Sequence, residues 1–193
     1  MELLICTNNF HKLEEIRSYI GPTYNLKSFR DLVDFEAPEE TSLTFAGNAL
    51  LKAQAGYKKT GLISIADDSG LEVFSLGGKP GVFSARYAGE TATDSDNNEK
   101  LLQELKGINN RQARFVSALA IVGPKKTIVV MGTVNGVILE KPRGDHGFGY
   151  DPLFFLPEKG KTMAEISLEE KNQISHRGRA LVKMAKELAQ ITV

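Results

Sequence analysis

The sequence predicts a mixed α/β fold with antiparallel strand pairs, and three observations predict it. Short continuous apolar runs, Leu3-Leu4-Ile5-Cys6 and Leu62 to Ala66, read as strands buried on both faces. Between and after them, apolar residues recur at helical spacing: Leu13, Ile16 and Ile20 early, Leu181, Met184 and Leu188 near the end. Two further apolar runs, 115–122 and 127–134, meet around Gly123-Pro124 as a joined strand pair does. That order is neither a pure strand–helix alternation nor all-β.

Taken in order, the first strand gives way to a polar turn, Thr7-Asn8-Asn9, and then a helix that stops at Gly21-Pro22. Residues 44–59, rich in Ala, Leu and Lys, form a second helix. The strand over 62–66 ends abruptly in Asp67-Asp68-Ser69-Gly70, where Asp-Ser-Gly chemistry predicts a turn. A strand over 71–76 and a loop over 77–81 follow, then a helix over 96–105. After the strand pair, residues 136–139 add a short strand, and a loop with Gly144, Gly147 and Gly149 leads to Leu153–Leu156. Ser167 with Glu170 three residues on has the spacing of a capping box. With no repeat, low-complexity tract or linker, the 193 residues read as a single domain over 1–193, long enough to bury a core.

Composition excludes several function classes. Lys plus Arg equals Asp plus Glu at 24 each, so the chain lacks the broad basic surface that general nucleic-acid or membrane binding needs. A polyanionic ligand must therefore meet a local cluster of positive charge. The single cysteine, Cys6, lies in the first apolar run and reads as a buried thiol, and it cannot form an internal disulfide or a multi-cysteine zinc site. His11, His146 and His176 show no metal-ligand spacing. No apolar run approaches a membrane span, and MELLICTNNF lacks the pattern of a signal peptide, so a cytoplasmic location is expected. Gly160-Lys161-Thr162 ends like a P-loop, but Phe155 stands where its first glycine belongs. Asp94-Ser95-Asp96 resembles a phosphatase D-x-D but precedes a helix, where aspartates serve as caps.

Four segments carry candidate chemistry, each with a structural alternative. Thr7-Asn8-Asn9-Phe10-His11-Lys12 sits at a helix N-terminus, where unpaired N–H groups attract phosphate; alternatively an asparagine merely caps the helix and Lys12 is solvated. Asp67-Asp68-Ser69-Gly70 lies at the end of a buried strand, where burying an uncompensated carboxylate is costly. At least one of the two should face a cleft, a cation or a metal. Gly147-Phe148-Gly149-Tyr150-Asp151-Pro152 interleaves aromatics with glycines, which suits a stacked base, or else the aromatics are core residues. Lys171 to Arg177 offers donors that suit the 6-oxo group of hypoxanthine, xanthine or guanine, or else a solvated basic turn.

In order, TNNFHK, EETSLTFAGNALLKA, ADDSG, LGGKPGVFSARYAG, GFGYDPLF and EKNQISHR resemble the inosine triphosphate pyrophosphatase family, the XTP/dITP diphosphatases, over essentially the whole chain. The resemblance implies a mixed twisted sheet flanked by helices, two lobes around a long substrate cleft, and a homodimer. It implies hydrolysis of non-standard purine nucleoside triphosphates such as ITP, dITP and XTP to monophosphate and pyrophosphate. It also implies that Thr7, Asn9, Lys12 and Lys52 hold the triphosphate, and that Glu40 and Asp68 bind Mg2+, with Asp68 as base. Ser69 would contact substrate, and Phe148, Gly149, Tyr150, Asp151, Lys171, His176 and Arg177 would form the base pocket. A carboxylate beside a cation is expected to have a lowered pKa, which would make Asp68 a weak base.

The chain departs from this pattern at Gly47, where bacterial relatives usually carry glutamate in T-F-x-E-N-A. If that glutamate completes a capping box with Thr44, its loss is structural; if it assists the metal, catalysis is weakened and the chain is chiefly a nucleotide-binding protein. The first is the preferred reading. His146, where many relatives have glycine, is a smaller departure beside the base loop.

Overall fold

A computed structural model describes residues 1–33 and 35–191. Its strands are β1 (Glu2–Ile5), β2 (Asn25–Ser28), β3 (Ser64–Val73), β4 (Gln112–Val122), β5 (Thr127–Ile138), β6 (Phe154–Leu156) and β7 (Lys161–Thr162). They form one seven-stranded mixed sheet in the order β2-β1-β3-β4-β5-β6-β7. β1 pairs in parallel with both β2 and β3, whereas β5–β6 and β6–β7 are antiparallel. The helices are α1 (Phe10–Ile20), α2 (Phe45–Thr60), α3 (Asp94–Glu104), α4 (Leu168–Ile174) and α5 (His176–Ile191).

The chain divides into two compact units, each assembled from separate segments. The first comprises residues 1–68, 117–132 and 177–193, and the second comprises 69–116 and 133–176. Strands β3, β4 and β5 each begin in one unit and end in the other. The first unit's core joins Leu3 and Ile5 of β1 to Leu13, Ile16 and Ile20 of α1 and Leu181, Met184 and Leu188 of α5. The second gathers Leu101 and Leu105, Phe115, Tyr150, Phe154 and Met163. Full burial of a side chain of this size contributes about 1.5–3 kcal/mol, which is why the apolar stripes are the legible part of the sequence.

Side-chain alternation along β1 and β3 decides what each helix meets. Leu3 and Ile5 face α1 and α5, so Leu4 and Cys6 face the other side, toward α2. There Gly56 lets the helix approach closely: a Cβ at that position would overlap Cys6 Sγ and lie 2.9 Å from Leu4 Cδ2. Because Ile5 pairs with Ile65, the same parity carries Asp67 to the α1–α5 side and Asp68 to the α2 side.

The structure departs from two expectations and adds one strand. Asp67 to Gly70 is not a turn: it lies inside β3, which runs unbroken from Ser64 to Val73 and then turns into a short 3-10 segment at Phe74–Leu76. The carboxylates are tolerated in a strand because side chains from both faces compensate them. Residues 127–134 and 136–139 are one strand, β5, within which Gly136 makes room for β6: a Cβ there would lie 2.6 Å from Phe155 O. The polar edge strand β2 gave no apolar signal and went unread; it is four residues long and its pattern is mostly exposed.

Candidate functional site

In the first unit, Thr7 and Asn9 form the turn into α1. Asn9 is the N-cap, its side chain accepting from Lys12 N, while Thr7 Oγ1 accepts from Asn9 N at 3.1 Å. The capping alternative therefore holds for Asn9. Solvation does not hold for Lys12, whose Nζ lies 3.0 Å from Asp67 Oδ2.

Asp67 is 1% exposed and heavily compensated. Arg177 approaches its Oδ2 through Nη2 at 3.1 Å and Nε at 3.3 Å, and Ser117 Oγ donates to Oδ1 at 2.6 Å. Arg177 also pairs with Glu15, a buried acid of α1. Burial pushes the Asp67 carboxyl up, but Arg177, Lys12 and Ser117 together outweigh it and hold the group well below the usual carboxylate range.

Asp68, on the other face, is less well served. Asn48 Nδ2 donates to its Oδ2 at 3.2 Å, and Lys52 Nζ stands 3.4 Å from its Oδ1. Lys52 is closer to Glu40 Oε1, at 2.6 Å, and also donates to Asp67 O at 2.9 Å. Burial therefore raises the Asp68 carboxyl, with Lys52 and Lys12 only partly opposing it. This reverses the expected lowering, because desolvation exceeds the attraction of a lysine shared with a second acid. Lys52 itself is raised: its own burial is outweighed by Asp68, Glu40 and Asp67. Glu40 and Asp68 thus bracket one cation, and their oxygens are the hard donors a divalent ion of the magnesium type takes. Among the described residues no group of three or more His, Cys, Asp or Glu side chains forms a metal cage.

Gly47 stands in the first turn of α2. Thr44 still caps the helix, its Oγ1 accepting from Gly47 N at 3.1 Å. The reciprocal donor, Thr44 N–H, which a glutamate at 47 would satisfy, is accepted by Ser42 Oγ at 3.2 Å. Ser42 occupies the space a side chain at 47 would need, since a Cβ there would lie 2.7 Å from Ser42 Cβ. Next door, Asn48 is fully buried, and its Oδ1 accepts from Ser42 N at 2.8 Å.

The second unit holds the base-loop candidates. Phe148 is half-buried under the Lys171 ammonium, 4.8 Å from its ring centroid. Lys171 Nζ pairs with Asp151 Oδ2 at 2.6 Å, and the same oxygen accepts from Phe148 N at 3.0 Å. Tyr150 is buried in the core with its hydroxyl donating to Ser84 O at 2.8 Å, so the core alternative describes its ring. His176 is 5% exposed and stacks on Phe115 at 4.8 Å between centroids. Ser69 is half-buried at the start of this unit's share of β3, and His146 is exposed. Gly149 has φ +63°, with nothing within 4 Å of where a Cβ would stand, so the backbone conformation is what calls for glycine. Of the expected base-pocket residues, Arg177 alone belongs to the first unit, with its guanidinium on Asp67 and Glu15.

Sequence reading missed Glu15, Asn48 and Ser117. Glu15 and Asn48 read as ordinary polar helix positions and Ser117 as a small residue in an apolar run. Their only sequence signal was the unpaired charge that Asp67 and Asp68 had to have answered.

Comparison with known proteins agrees over the full length. A profile of the Ham1 family matches residues 3–187. A dITP/XTP pyrophosphatase of Bacillus subtilis is 50% identical, covering 97% of this chain and 96% of its own. Another, of Geobacter sulfurreducens, is 51% identical over 93% and 92%. The solved Ham1 protein of Staphylococcus aureus superposes with a TM-score of 0.88 at 44% identity, covering 98% of each chain. A HAM1 protein from Coxiella burnetii gives 0.89 at 37%, covering 98% of this chain and 99% of that one. The family profile, the near-full-length identities and the structural superpositions agree: this chain belongs to the Ham1 family.

Proposed function

We infer that the chain is a nucleoside triphosphate pyrophosphatase that converts non-standard purine triphosphates such as dITP, ITP and XTP to monophosphate and pyrophosphate. The observation that carries this reading is Asp68: a buried, under-compensated carboxylate that shares Lys52 with Glu40. Water attacks the α-phosphorus, a new P–O bond forms, the α–β bridging bond breaks, and pyrophosphate leaves. Asp68 takes the water proton as general base. Lys12, Lys52, Thr7 and Asn9 meet the triphosphate, the two lysines while also paired with Asp67, Glu40 and Asp68. Glu40 and Asp68 would hold Mg2+, with Mn2+ acceptable to the same oxygens. The ion, when bound, neutralises developing negative charge and acidifies water.

Ser69, Phe148, Gly149, Tyr150, Asp151, Lys171 and His176 serve the base end, with Phe148 offering the stacking face and Lys171 a donor suited to a 6-oxo group. Arg177, committed to Asp67 and Glu15, acts indirectly in this reading, by fixing Asp67 next to Asp68 at the metal end. The functional unit is one domain over 1–193 acting as a homodimer, to be tested by light scattering. Among the described residues no helix is long and apolar enough to cross a membrane.

The deciding assay is pyrophosphate release from inosine, xanthosine, guanosine and adenosine triphosphates, with magnesium and with a chelator. Fast, metal-dependent release from the first two is the expected result. Binding without release would favour the second reading, a nucleotide-binding protein whose catalysis was lost with the glutamate at 47. The retained Thr44 cap and the Ser42 replacement weigh against that alternative.

A further inference from the structure

Helix α3 contains no residue assigned to the reaction, yet its side chains grip two separate segments of the second unit. Asp94 and Asn98, four residues apart and so on one face, reach Gly149 from both sides. Asp94 Oδ2 accepts from Gly149 N at 2.6 Å, and Asn98 Nδ2 donates to Gly149 O at 2.9 Å. Asp94 was expected to cap its own helix; that task falls instead to Thr93 and Asp96, which form a reciprocal capping box. Its carboxylate is thereby released for the loop. On the adjoining stripe, Asn97 holds the 85–88 segment through Ala88 N at 2.8 Å and Ala85 O at 3.1 Å. Ser84, next to that segment, receives the Tyr150 hydroxyl.

We propose that α3 clamps the base loop: Asp94 and Asn98 hold the N–H and C=O of Gly149, and act as positioning residues for nucleobase recognition. This rests on the reading that the 147–151 loop meets the base. Gly149, with both backbone polar groups committed to α3, contributes conformation rather than a contact. What it conveys is the setting of Phe148, which is fixed on one side by Asp151 and Lys171 and on the other by this glycine. A charge-assisted acceptor meets the N–H end and an amide donor meets the C=O end, so a carboxylate cannot take the place of Asn98.

The test compares Asp94→Ala, Asp94→Asn, Asn98→Ala and Asn98→Asp with Phe148→Ala as reference. The measurements are KM and kcat for inosine triphosphate, calorimetric binding of inosine monophosphate, and inhibition by pyrophosphate. Each alanine variant should raise KM and weaken monophosphate binding about 10-fold, the effect of losing one hydrogen bond to a charged or buried partner. In both, kcat and pyrophosphate inhibition should stay near wild type. Asp94→Asn keeps an acceptor and should restore most of the affinity. Asn98→Asp is the same size but has no donor for Gly149 O, so it should behave like the alanine variant. Normal KM and monophosphate binding in the α3 variants, with both impaired in Phe148→Ala, would overturn the clamp alone. Normal values in Phe148→Ala as well would overturn the base-loop reading and the clamp with it. Equal losses of kcat and pyrophosphate affinity in the α3 variants would reduce α3 to general support and also overturn the proposal.

Discussion

The two faces of β3 treat adjacent, chemically identical residues in opposite ways. On the α1–α5 face, Asp67 has a guanidinium, an ammonium and a hydroxyl within hydrogen-bond reach, and its charge is fixed. On the α2 face, Asp68 has one amide and a lysine that lies closer to Glu40. The pKa directions follow: burial acts on both, yet Asp67 ends below its ordinary value and Asp68 above it. A saturated carboxylate is an anchor, whereas an under-compensated one is available for a proton or a metal. Strand parity assigns these two environments, since a shift of one residue would exchange them.

The sharpest way to test this contrast is Asp68→Asn. Turnover should fall about 100- to 10,000-fold, the usual worth of a general base. The melting temperature should not fall, because the burial of this charge was already costly. Near-normal turnover would remove Asp68 from the chemistry.

On the opposite face the effect should be on stability. Arg177→Ala leaves Asp67 and Glu15 buried without their main partner, and breaking such a pair costs about 3–5 kcal/mol. Denaturant unfolding that moved by less than about 1 kcal/mol would mean the ion pairs are not the anchor described.

Gly47→Ala probes the α2 face where Ser42 crowds the helix, and overpacking of this kind costs about 1–3 kcal/mol. Ser42→Gly should relieve that cost, and Gly47→Glu should be tolerated better in the Ser42→Gly background than alone. Additive losses in the double variants would uncouple the two positions.

The smallest effect is the pH dependence. Asp67, depressed in the fold, contributes stability above its ordinary pKa of 3.8 that is lost as pH falls below it. Asp68, raised in the fold, binds its proton more readily folded than unfolded, so it gains stability as pH falls from its raised pKa toward 3.8. Acid melts should therefore decline less steeply in Asp67→Asn and more steeply in Asp68→Asn than in wild type. Equal slopes would contradict the two assignments.

Much of this was legible before the fold was known. The apolar runs at Leu3–Cys6 and 115–122, the stripes of α1 and α5, and the Thr44 and Asn9 caps were readable because they are local: period, propensity and capping act within a few residues. Zero net charge required local cations for a polyanion, and two neighbouring aspartates in an apolar context required partners. What those partners are was decided by tertiary structure alone. Arg177 lies 110 residues from Asp67 and Ser117 lies 50 away, and no local rule couples them. The sequence read Asp67 to Gly70 as a turn because turn propensity is local, while the ion pairs that keep it in a strand are not. It likewise assigned both Asp94 and Asp96 to the α3 cap, since it could not see Gly149, 55 residues on, waiting for an acceptor. Sequence alone determined the family of elements and the need for compensated charge; only the folded chain decided which carboxylate is fully compensated and which is less so, because that depends on which face of β3 each one takes.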